Sequence, residues 1–250
     1  MIKAVTFDFW DTLVVDDSDE PVRAARGLAN KTQARSAAFV DMVRAAQPAL
    51  TEAAARAALA EANAWFRQRW KVEHDTPTVA ARLDVGLRAL ALERPAGFDA
   101  AVATWEQLEV DIPPRLADGC AEMLAEVSER FAVGIISDAI VTPGRGLRQI
   151  LGDYGLLDRF VPPAMIFSDE AGGAKPAPIV FEKAAAAFGL APADLAHVGD
   201  REPNDVAGPL AAGWKAVLYT GAIDRRDGAG TRASAVCEHH RDMARILQEL

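Results

Sequence analysis

Cysteine is scarce in this sequence, and the two present, Cys120 and Cys237, lie far apart in the chain. They form none of the short spacings that bind zinc or support thiol–disulfide exchange. We therefore expect both cysteines to fill the hydrophobic core. Because disulfides are rare in reducing compartments, this usage predicts a cytoplasmic protein.

Long apolar runs are also missing, which argues against a segment that crosses a membrane. No stretch approaches the roughly 20 consecutive apolar residues that a transmembrane helix needs. The first apolar run, MIKAVTF, ends at Asp8 and does not have the layout of a signal peptide. The expectation is a protein without a membrane partner.

Positive charge is in short supply, since 27 Lys and Arg face 36 Asp and Glu, for a formal net charge of −9. Bulk electrostatics would therefore repel nucleic acid as well as anionic membranes. A small anionic substrate is still compatible with this charge if a local positive group faces it. The 250 residues, half of them hydrophobic, suffice for one domain or for one domain with an insertion.

Hydrophobic periodicity then divides the chain into three parts. The first is a strand, Ile2–Phe7, and the second, residues 16–112, has helical periodicity almost throughout and no convincing strand. Prolines punctuate this second part, and Thr51 and Thr76 are the candidate helix N-caps. Its predicted helices are Glu20–Ala46, Thr51–Val72, Thr76–Leu92 and Asp99–Glu109.

The third part alternates helices with apolar strands. The predicted strands are Ala132–Ser137, Ala164–Phe167, Leu195–Gly199, Ala216–Tyr219 and Ala235–Cys237. The predicted helices are Asp118–Arg130, Gly144–Tyr154, Ala177–Phe188, Asp205–Ala212 and Arg241–Leu250. This alternation predicts an α/β fold, a doubly wound parallel-sheet (Rossmann-like) core covered by helices on both faces.

The domain boundaries follow from this division. Residues 1–15 and 113–250 are predicted to form the core, and residues 16–112 an inserted all-α cap over one edge of the sheet. Val14–Asp17 and Ile112–Pro114 would be the hinges between the two units.

Polar side chains follow four of the predicted strands or begin the loops after them. Because ligands bind beyond the carboxyl ends of parallel strands, we expect these residues to converge. They are Asp8 after the first strand, Ser137 and Asp138 after VGIIS, Lys175 in GGAKPAP, and Asp200 and Asp205 in GDREPNDVAG.

This set, in this order, resembles the haloacid dehalogenase superfamily. HVGDREPNDVAGPLAAG is similar to the family's most specific motif, a Gly-Asp pair followed by four residues, a second Asp and a Gly-containing helix. KPAPIVFEKA resembles the third motif, and Ser137 stands where the second belongs. The insertion between the first two motifs matches the subgroup with an all-helical cap.

The resemblance implies a hydrolase that acts on a small phosphorylated metabolite. Asp8 would attack the phosphoryl group and form an aspartyl-phosphate. Mg²⁺ would be the cofactor, held by the carboxylates of Asp8 and Asp200 and by the backbone carbonyl of Trp10.

The other motif residues take supporting roles by the same resemblance. Lys175 would hold the phosphate and offset the crowded carboxylates, and Asp205 would orient Lys175 or a metal-bound water. Ser137 would hydrogen-bond phosphate oxygens. Asp138, where the family more often has Asn, is a candidate substrate contact.

One position departs from the phosphatases of this family. They carry a second aspartate, a general acid and base, two residues after the nucleophile, where this chain has Trp10. Asp11 follows one residue later, and that shift points its side chain elsewhere, so Asp11 cannot be assumed to replace the missing acid. A phosphatase would then be slow with poor leaving groups, or be helped by Asp11, Asp138 or a cap residue.

Three hypotheses therefore remain open. The first is a Mg²⁺-dependent phosphatase, and the second a dehalogenase-like hydrolase acting at carbon, in which an aromatic residue occupies the position of Trp10. The third is a catalytically weak protein that keeps the fold for binding or regulation. The retained Asp200 and Asp205 favour the first. The substrate stays open, as does the choice between monomer and homodimer.

Histidines and aromatic residues carry weaker signals. His197 is predicted to be packed within its strand, and His239 and His240 to lie at the surface. The remaining predictions concern the cap: Trp65, Phe66, Trp70 and Trp105 would form its core or line its substrate face, and Arg23, Arg67 and Arg69 could recognise a substrate.

Overall fold

The structure is a computed structural model that describes residues 1–225 and 230–250. Its strands are β1 (Ala4–Phe7), β2 (Ala132–Ser137), β3 (Met165–Phe167), β4 (Leu195–Gly199), β5 (Lys215–Tyr219) and β6 (Ala235–Cys237). They form one six-stranded sheet in the order β3-β2-β1-β4-β5-β6, and every pair of neighbours is parallel. This confirms the predicted doubly wound α/β core.

The register of β1 determines which residues meet beyond the sheet. All four residues of β1 are buried, as expected of an apolar central strand covered on both faces. Phe7 lies opposite Ile135 on one side and Val198 on the other. The chain therefore leaves β1, β2 and β4 at the same edge, on either side of the point where the strand order reverses. Ligands bind at such a switch point in open α/β sheets.

Eleven α-helices surround or extend this sheet in the described ranges. Those between β1 and β2 are α1 (Glu20–Ala25), α2 (Lys31–Ala46), α3 (Glu52–Glu73), α4 (Val79–Ala89), α5 (Phe98–Asp111) and α6 (Cys120–Ser128). The others are α7 (Gly144–Asp153), α8 (Ser168–Ala171), α9 (Pro178–Phe188), α10 (Gly208–Ala211) and α11 (Met243–Glu249). Over the same residues, no helix has the length and apolar character needed to cross a membrane.

Helices α1 to α5 form the helical insertion, and α2 to α5 bury a hydrophobic cluster of their own. Phe39, Leu83 and Trp105 belong to it and are almost fully buried. A separate cluster, which includes Phe7 and Leu147, packs between the sheet and the helices of the core. The insertion therefore has the internal packing that its helical periodicity predicted.

The predicted helix Glu20–Ala46 is wrong in one respect, because the chain breaks it into α1 and α2. Gly27 adopts a left-handed conformation with φ of 70°, which an L side chain would strain. Asn30 then caps α2, accepting a hydrogen bond of 2.8 Å from the backbone N–H of Gln33. Helical periodicity continues across the break, so the pattern alone did not reveal it.

The two predicted N-caps have different outcomes. Thr51 caps α3 by accepting a bond of 3.2 Å from the N–H of Ala54, so that prediction is confirmed. Thr76 is not a cap, since α4 begins at Val79 and Thr78 is its cap. Thr76 precedes a proline, which disfavours the helical conformation at that residue.

The predicted helix Asp205–Ala212 also differs from the structure. Residues Glu202–Ala207 form a π-helical turn, and only Gly208–Ala211 are α-helical. Asp205 lies inside that turn, with its N–H bonded to the carbonyl of Arg201 at 2.7 Å. Such turns are rare in proteins, and those that occur are often found at functional sites.

The three histidine predictions are settled by burial. His197 is fully buried and His239 is exposed, so both predictions are confirmed. His240 is not a surface residue, because only 2% of it is exposed. Its ring stacks on Tyr219 with centroids 4.2 Å apart, and its Nδ1 donates to the carbonyl of Asp118 at 3.2 Å. Tyr219 is remote from His240 in the sequence, so no local pattern indicated this stacking.

Burial of His240 makes the stability of the fold depend on pH. Burial lowers the pKa of His240 to about 4, whereas a histidine in the unfolded chain titrates near 6.5. The unfolded state therefore binds the proton first as the pH falls. Between pH 7 and pH 5 we expect this residue to reduce the free energy of unfolding by about 2 kcal/mol.

Urea unfolding of wild-type protein and His240→Phe at pH 7 and pH 5 measures this effect. The phenylalanine keeps a ring on Tyr219 but cannot be protonated, so its stability should fall less over that range. His239→Phe is the matched control and should keep the full wild-type pH dependence. An equal loss of stability in His240→Phe and wild type would contradict the prediction.

Candidate active site

Asp8, which follows β1, lies beside a buried lysine at the carboxyl edge of the sheet. Lys175 Nζ is 2.8 Å from Asp8 Oδ1 and 2.6 Å from Asp205 Oδ1. All three side chains are buried, with 6% of Asp8 exposed. Although burial disfavours the charge of Lys175, Asp205 and Asp8 raise its pKa above the ordinary range, so the lysine stays cationic.

Asp205 is the fixed anion of this cluster. It accepts hydrogen bonds from Lys175 Nζ at 2.6 Å, from His197 Nε2 at 3.1 Å and from the N–H of Arg201 at 2.9 Å. Burial alone would raise the pKa of Asp205, but the Lys175 ammonium and His197 hold it well below its usual range. Gly199 permits the arrangement, since a Cβ there would collide with the Asp205 carboxyl group.

His197 is a structural support for that anion. Burial lowers the pKa of His197, so the ring is neutral and carries one proton. Its Nε2 faces the Asp205 carboxylate, which can only accept, and its Nδ1 lies 2.8 Å from Thr6 Oγ1. The proton therefore sits on Nε2, and the Thr6 hydroxyl donates to Nδ1.

Asp8 is a carboxyl group whose charge the protein compensates only in part. Burial raises the pKa of Asp8 to about 7, Lys175 opposes this rise, and the nearby Asp205 and Asp200 add to it. Because Lys175 is shared with Asp205, one ammonium faces more negative charge than it can balance. A further cation at this position would keep Asp8 ionised.

The donor atoms at this edge fit a divalent cation. Carboxylate oxygens of Asp8, Asp200 and Asp205 lie within 4.8 Å of one another. Asp200 Oδ1 is buried and has no hydrogen-bond partner among the residues that the structure describes. Such an atom is costly unless something binds it, and an all-oxygen set is what Mg²⁺ prefers. Both carboxylate oxygens of Asp205 already accept hydrogen bonds, Oδ1 from Lys175 and Oδ2 from the N–H of Arg201, which leaves Asp8 and Asp200 as the available carboxylates.

Arg225 is the site residue that sequence reasoning missed. Its guanidinium donates to Asp200 Oδ2 and to Asp11 Oδ2, each at 2.5 Å. It lies in the loop after β5, in no motif, so no local signal could have found it.

Asp11 is thereby separated from the chemistry around Asp8. One of its carboxylate oxygens pairs with Arg225, and the other accepts from the N–H of Asp16 at 3.0 Å. The residue has a φ of 51°, which places it in the left-handed region that aspartate tolerates. Trp10, one residue earlier, lines the cavity that contains Asp8, and Asp11 does not.

Ser137 and Asp138 follow β2 beside this cluster. Ser137 Oγ is buried and unbonded over the described ranges, so its hydroxyl is available to a ligand. Asp138 accepts from the N–H of Lys175 at 2.9 Å and from Trp70 Nε1 at 3.0 Å. The second bond joins α3 of the helical insertion to the sheet edge.

A cavity of about 630 Å³ lies between the helical insertion and the sheet edge. We call it the main cavity; it contains Asp8, Trp10, Asp138 and Lys175 in its lining, with Trp70 on the opposite side. Its volume suits a small metabolite.

The predicted cap residues reach this cavity only in part. Trp70 lines it, whereas Phe66 and Trp105 are buried in the insertion and Trp65 is half-buried outside the lining. The three predicted arginines, Arg23, Arg67 and Arg69, are absent from the lining, and Arg35 and Arg201 are present instead.

Comparison with known proteins places this geometry in context. The model of the haloacid dehalogenase-like hydrolase family matches residues 2–213. Haloacid dehalogenase-like hydrolase domain-containing protein 3 of Homo sapiens is 29% identical over 224 residues, which are 88% of this chain and 82% of the relative. Phosphoserine phosphatase of Thermus thermophilus is 36% identical over 95 residues, 38% of this chain and 36% of the relative.

Solved structures share the fold along the whole chain. The HAD-hydrolase YfnB of Bacillus subtilis, bound to magnesium, has a TM-score of 0.60 at 16% identity and covers 98% of both chains. L-2-haloacid dehalogenase of Xanthobacter autotrophicus, with chloropropionic acid covalently bound, has a TM-score of 0.59 at 16% identity and covers 100% of both. At these identities the likeness shows the fold alone.

Proposed function

The chain belongs to the haloacid dehalogenase-like hydrolases, and from that premise we propose that it is a Mg²⁺-dependent phosphatase of a small phosphorylated metabolite. The observation that carries the proposal is the buried carboxylate cluster around the Lys175 ammonium, in which Asp200 Oδ1 has no hydrogen-bond partner among the described residues. A relative named as a phosphatase, the Thermus phosphoserine phosphatase, agrees with it.

Asp8 is the nucleophile in this proposal. Its carboxylate attacks phosphorus, the bond to the leaving oxygen breaks, and an aspartyl-phosphate forms; water then cleaves that intermediate and restores Asp8. Lys175 pairs with the Asp8 carboxylate and binds the phosphate, and Asp205 positions the Lys175 ammonium. The Ser137 hydroxyl donates to a phosphate oxygen, and Asp138 faces the substrate.

The metal would be held by the carboxylates of Asp8 and Asp200 and by the Trp10 carbonyl. When bound, Mg²⁺ supplies positive charge that neutralises the phosphate and the nucleophile. This charge would also lower the pKa of Asp8 and keep it ionised as a nucleophile.

We further propose that the helical insertion is a cap. The core would comprise residues 1–15 and 113–250, and the cap residues 16–112. Bonds that join the cap and the core at the main cavity include those from Trp70 Nε1 to Asp138, from the N–H of Ala174 to the carbonyl of His74 at 2.7 Å, and from Thr142 Oγ1 to Glu109. Opening the main cavity would break such bonds, and closing it would exclude water from the reaction.

Trp10 favours a second candidate, a dehalogenase-like hydrolase in which Asp8 attacks carbon. An aromatic residue is typical of that position in such enzymes, and the chain shares their fold. Against this candidate, Asp200 and Asp205 are retained, and no residue that the structure describes forms a hydrogen bond with Asp200 Oδ1. The phosphatase explains these two acids and the dehalogenase does not.

Metal dependence separates the candidates. We expect the protein to release phosphate from 4-nitrophenyl phosphate with Mg²⁺, and the release to stop with excess EDTA and return with added Mg²⁺. Halide release from 2-chloropropionate is the parallel assay. Halide release that is insensitive to EDTA would contradict the phosphatase, and no release of either kind would favour a binding protein.

A further inference from the structure

A second cavity, of about 450 Å³, adjoins the main cavity and differs from it in charge. We call it the basic cavity. Among the described residues, four cationic side chains line it, and they are Lys71, Lys175, Arg201 and Arg225. Within the same part of the chain, Glu202 is the single carboxylate in the lining. In a protein with a formal net charge of −9, this is a local reversal of sign.

Among the described residues, Glu202 forms no ion pair with these four cations, and its carboxylate is bonded elsewhere. One oxygen accepts from Thr231 Oγ1 at 2.7 Å, and the other accepts from the N–H of Arg232 at 3.1 Å. The Arg232 guanidinium is also 4.0 Å away. The negative charge of Glu202 is therefore directed at the segment before β6.

Two of the four cations, Lys71 and Arg201, form no close ion pair with a carboxylate among the described residues. Lys71, near the end of α3, has no ion pair with any residue in the described ranges, and its Nζ lies 5.5 Å from the centroid of the Trp70 ring. Arg201 approaches one carboxylate oxygen, Asp200 Oδ2, at 3.9 Å, too far for a hydrogen bond. Lys175 and Arg225, by contrast, each hold two carboxylates.

The two cavities adjoin at the lysine that faces Asp8. The residues that line both of them are Trp70, Lys175, Arg201 and Asn204. Asp138 Oδ2 accepts from Trp70 Nε1 at 3.0 Å and from Asn204 Nδ2 at 3.4 Å. A ligand that extends from Lys175 into the basic cavity between these two side chains would displace one of these bonds.

The main cavity is a poor place for further negative charge. Among the described residues, its lining contains more carboxylates than cations. The six carboxylates are Asp8, Asp16, Asp17, Glu20, Glu109 and Asp138, and the four cations are Lys31, Arg35, Lys175 and Arg201. Lys31 and Arg35 are both paired with Glu109, and Lys175 with Asp8. A second anion on the substrate would be repelled there and attracted in the basic cavity, because the field at each site follows the nearest charges.

We propose that the substrate is a phosphomonoester that carries a second anionic group, and that Lys71 and Arg201 bind that group in the basic cavity. The inference rests on the proposed phosphatase function and narrows its substrate class. A carboxylate and a second phosphate share the chemistry that these cations bind, and the test separates them.

Binding of matched ligands to the Asp8→Asn protein in the presence of Mg²⁺ tests the proposal without turnover. Glycerol 3-phosphate and 3-phosphoglycerate differ by one carboxylate, and fructose 6-phosphate and fructose 1,6-bisphosphate by one phosphate. By calorimetry at 0.15 M salt, we expect the doubly anionic member of at least one pair to bind at least about tenfold more tightly. The pair that shows the preference identifies the second group.

Lys71→Gln, added to Asp8→Asn, should reduce that preference by roughly fivefold and leave the affinity for the singly phosphorylated partner unchanged, because Lys71 does not line the main cavity. Arg201→Gln, added in the same way, should also reduce the preference by roughly fivefold. Arg67→Gln removes the same charge from an exposed position on α3 outside both cavities, and it should change nothing. Equal affinities within both pairs, or an equal loss in Arg67→Gln, would overturn the proposal.

The assay with 4-nitrophenyl phosphate keeps the two failures apart, because that ester has no second anion. If the basic cavity does not bind one, phosphate release continues while the preference is absent. If the phosphatase function is wrong, release is absent whatever the binding data show.

Discussion

Asp8→Asn should reduce Mg²⁺-dependent phosphate release from 4-nitrophenyl phosphate by at least about 10³-fold, the scale seen when other hydrolases lose their nucleophile. The amide has the shape of the carboxylate but cannot attack phosphorus. Asp11→Asn is the matched control, because its carboxylate pairs with Arg225 and does not line the main cavity. We expect it to change the rate by less than about tenfold, within what a positioning effect can produce.

The same variant carries a check on folding. Because burial raises the pKa of Asp8 to about 7, the charged carboxylate is unfavourable in metal-free protein above that pH. Its contribution to stability is present at low pH and lost as the pH rises through 7. Asp8→Asn should therefore unfold at the same temperature as wild type, or a higher one, in EDTA at pH 8.

If Asp8→Asn released phosphate at the wild-type rate, Asp8 would not be the nucleophile.

Trp10→Asp should increase the rate of hydrolysis of an alkyl phosphate such as glycerol 3-phosphate. Trp10 lines the main cavity together with Asp8, so an acid placed there faces the leaving oxygen. General acid catalysis is worth about 10²–10⁴-fold, and a position not evolved for it should recover at least about tenfold. The rate for 4-nitrophenyl phosphate should change little, because 4-nitrophenolate leaves without a proton.

Trp10→Asn is the control for that experiment. It has the size and polarity of aspartate but no proton to donate, so it should give no gain with either ester. The indole itself packs edge-on against Phe9 with ring centroids 5.0 Å apart. If Trp10→Asp lost activity on both esters, the indole would have a positive role and the missing acid would not limit turnover.

The sequence determined the fold and most of the charged cluster. Apolar strands alternating with amphipathic helices indicated a parallel sheet, and polar residues after those strands indicated one shared edge. Asp8, Lys175 and Asp205 do meet there. Such local patterns suffice because hydrophobic periodicity specifies each element, and parallel pairing then brings the strand ends together.

Only the tertiary structure decided what surrounds that cluster. Arg225 on Asp200 and Trp70 on Asp138 are contacts between residues far apart in sequence, and no local pattern encodes them. The burial of His240 follows from its stacking on Tyr219, which is also remote.

Charge shows the same division between sequence and structure. The sequence determined a sum, a net charge of −9, which would repel nucleic acid in bulk. The tertiary structure decided how that sum is distributed: among the described residues, carboxylates outnumber cations in the main cavity, and cations outnumber carboxylates in the basic one. A ligand responds to the charges within a few ångströms of it, because salt and water screen the rest, and only folding determines which charges those are.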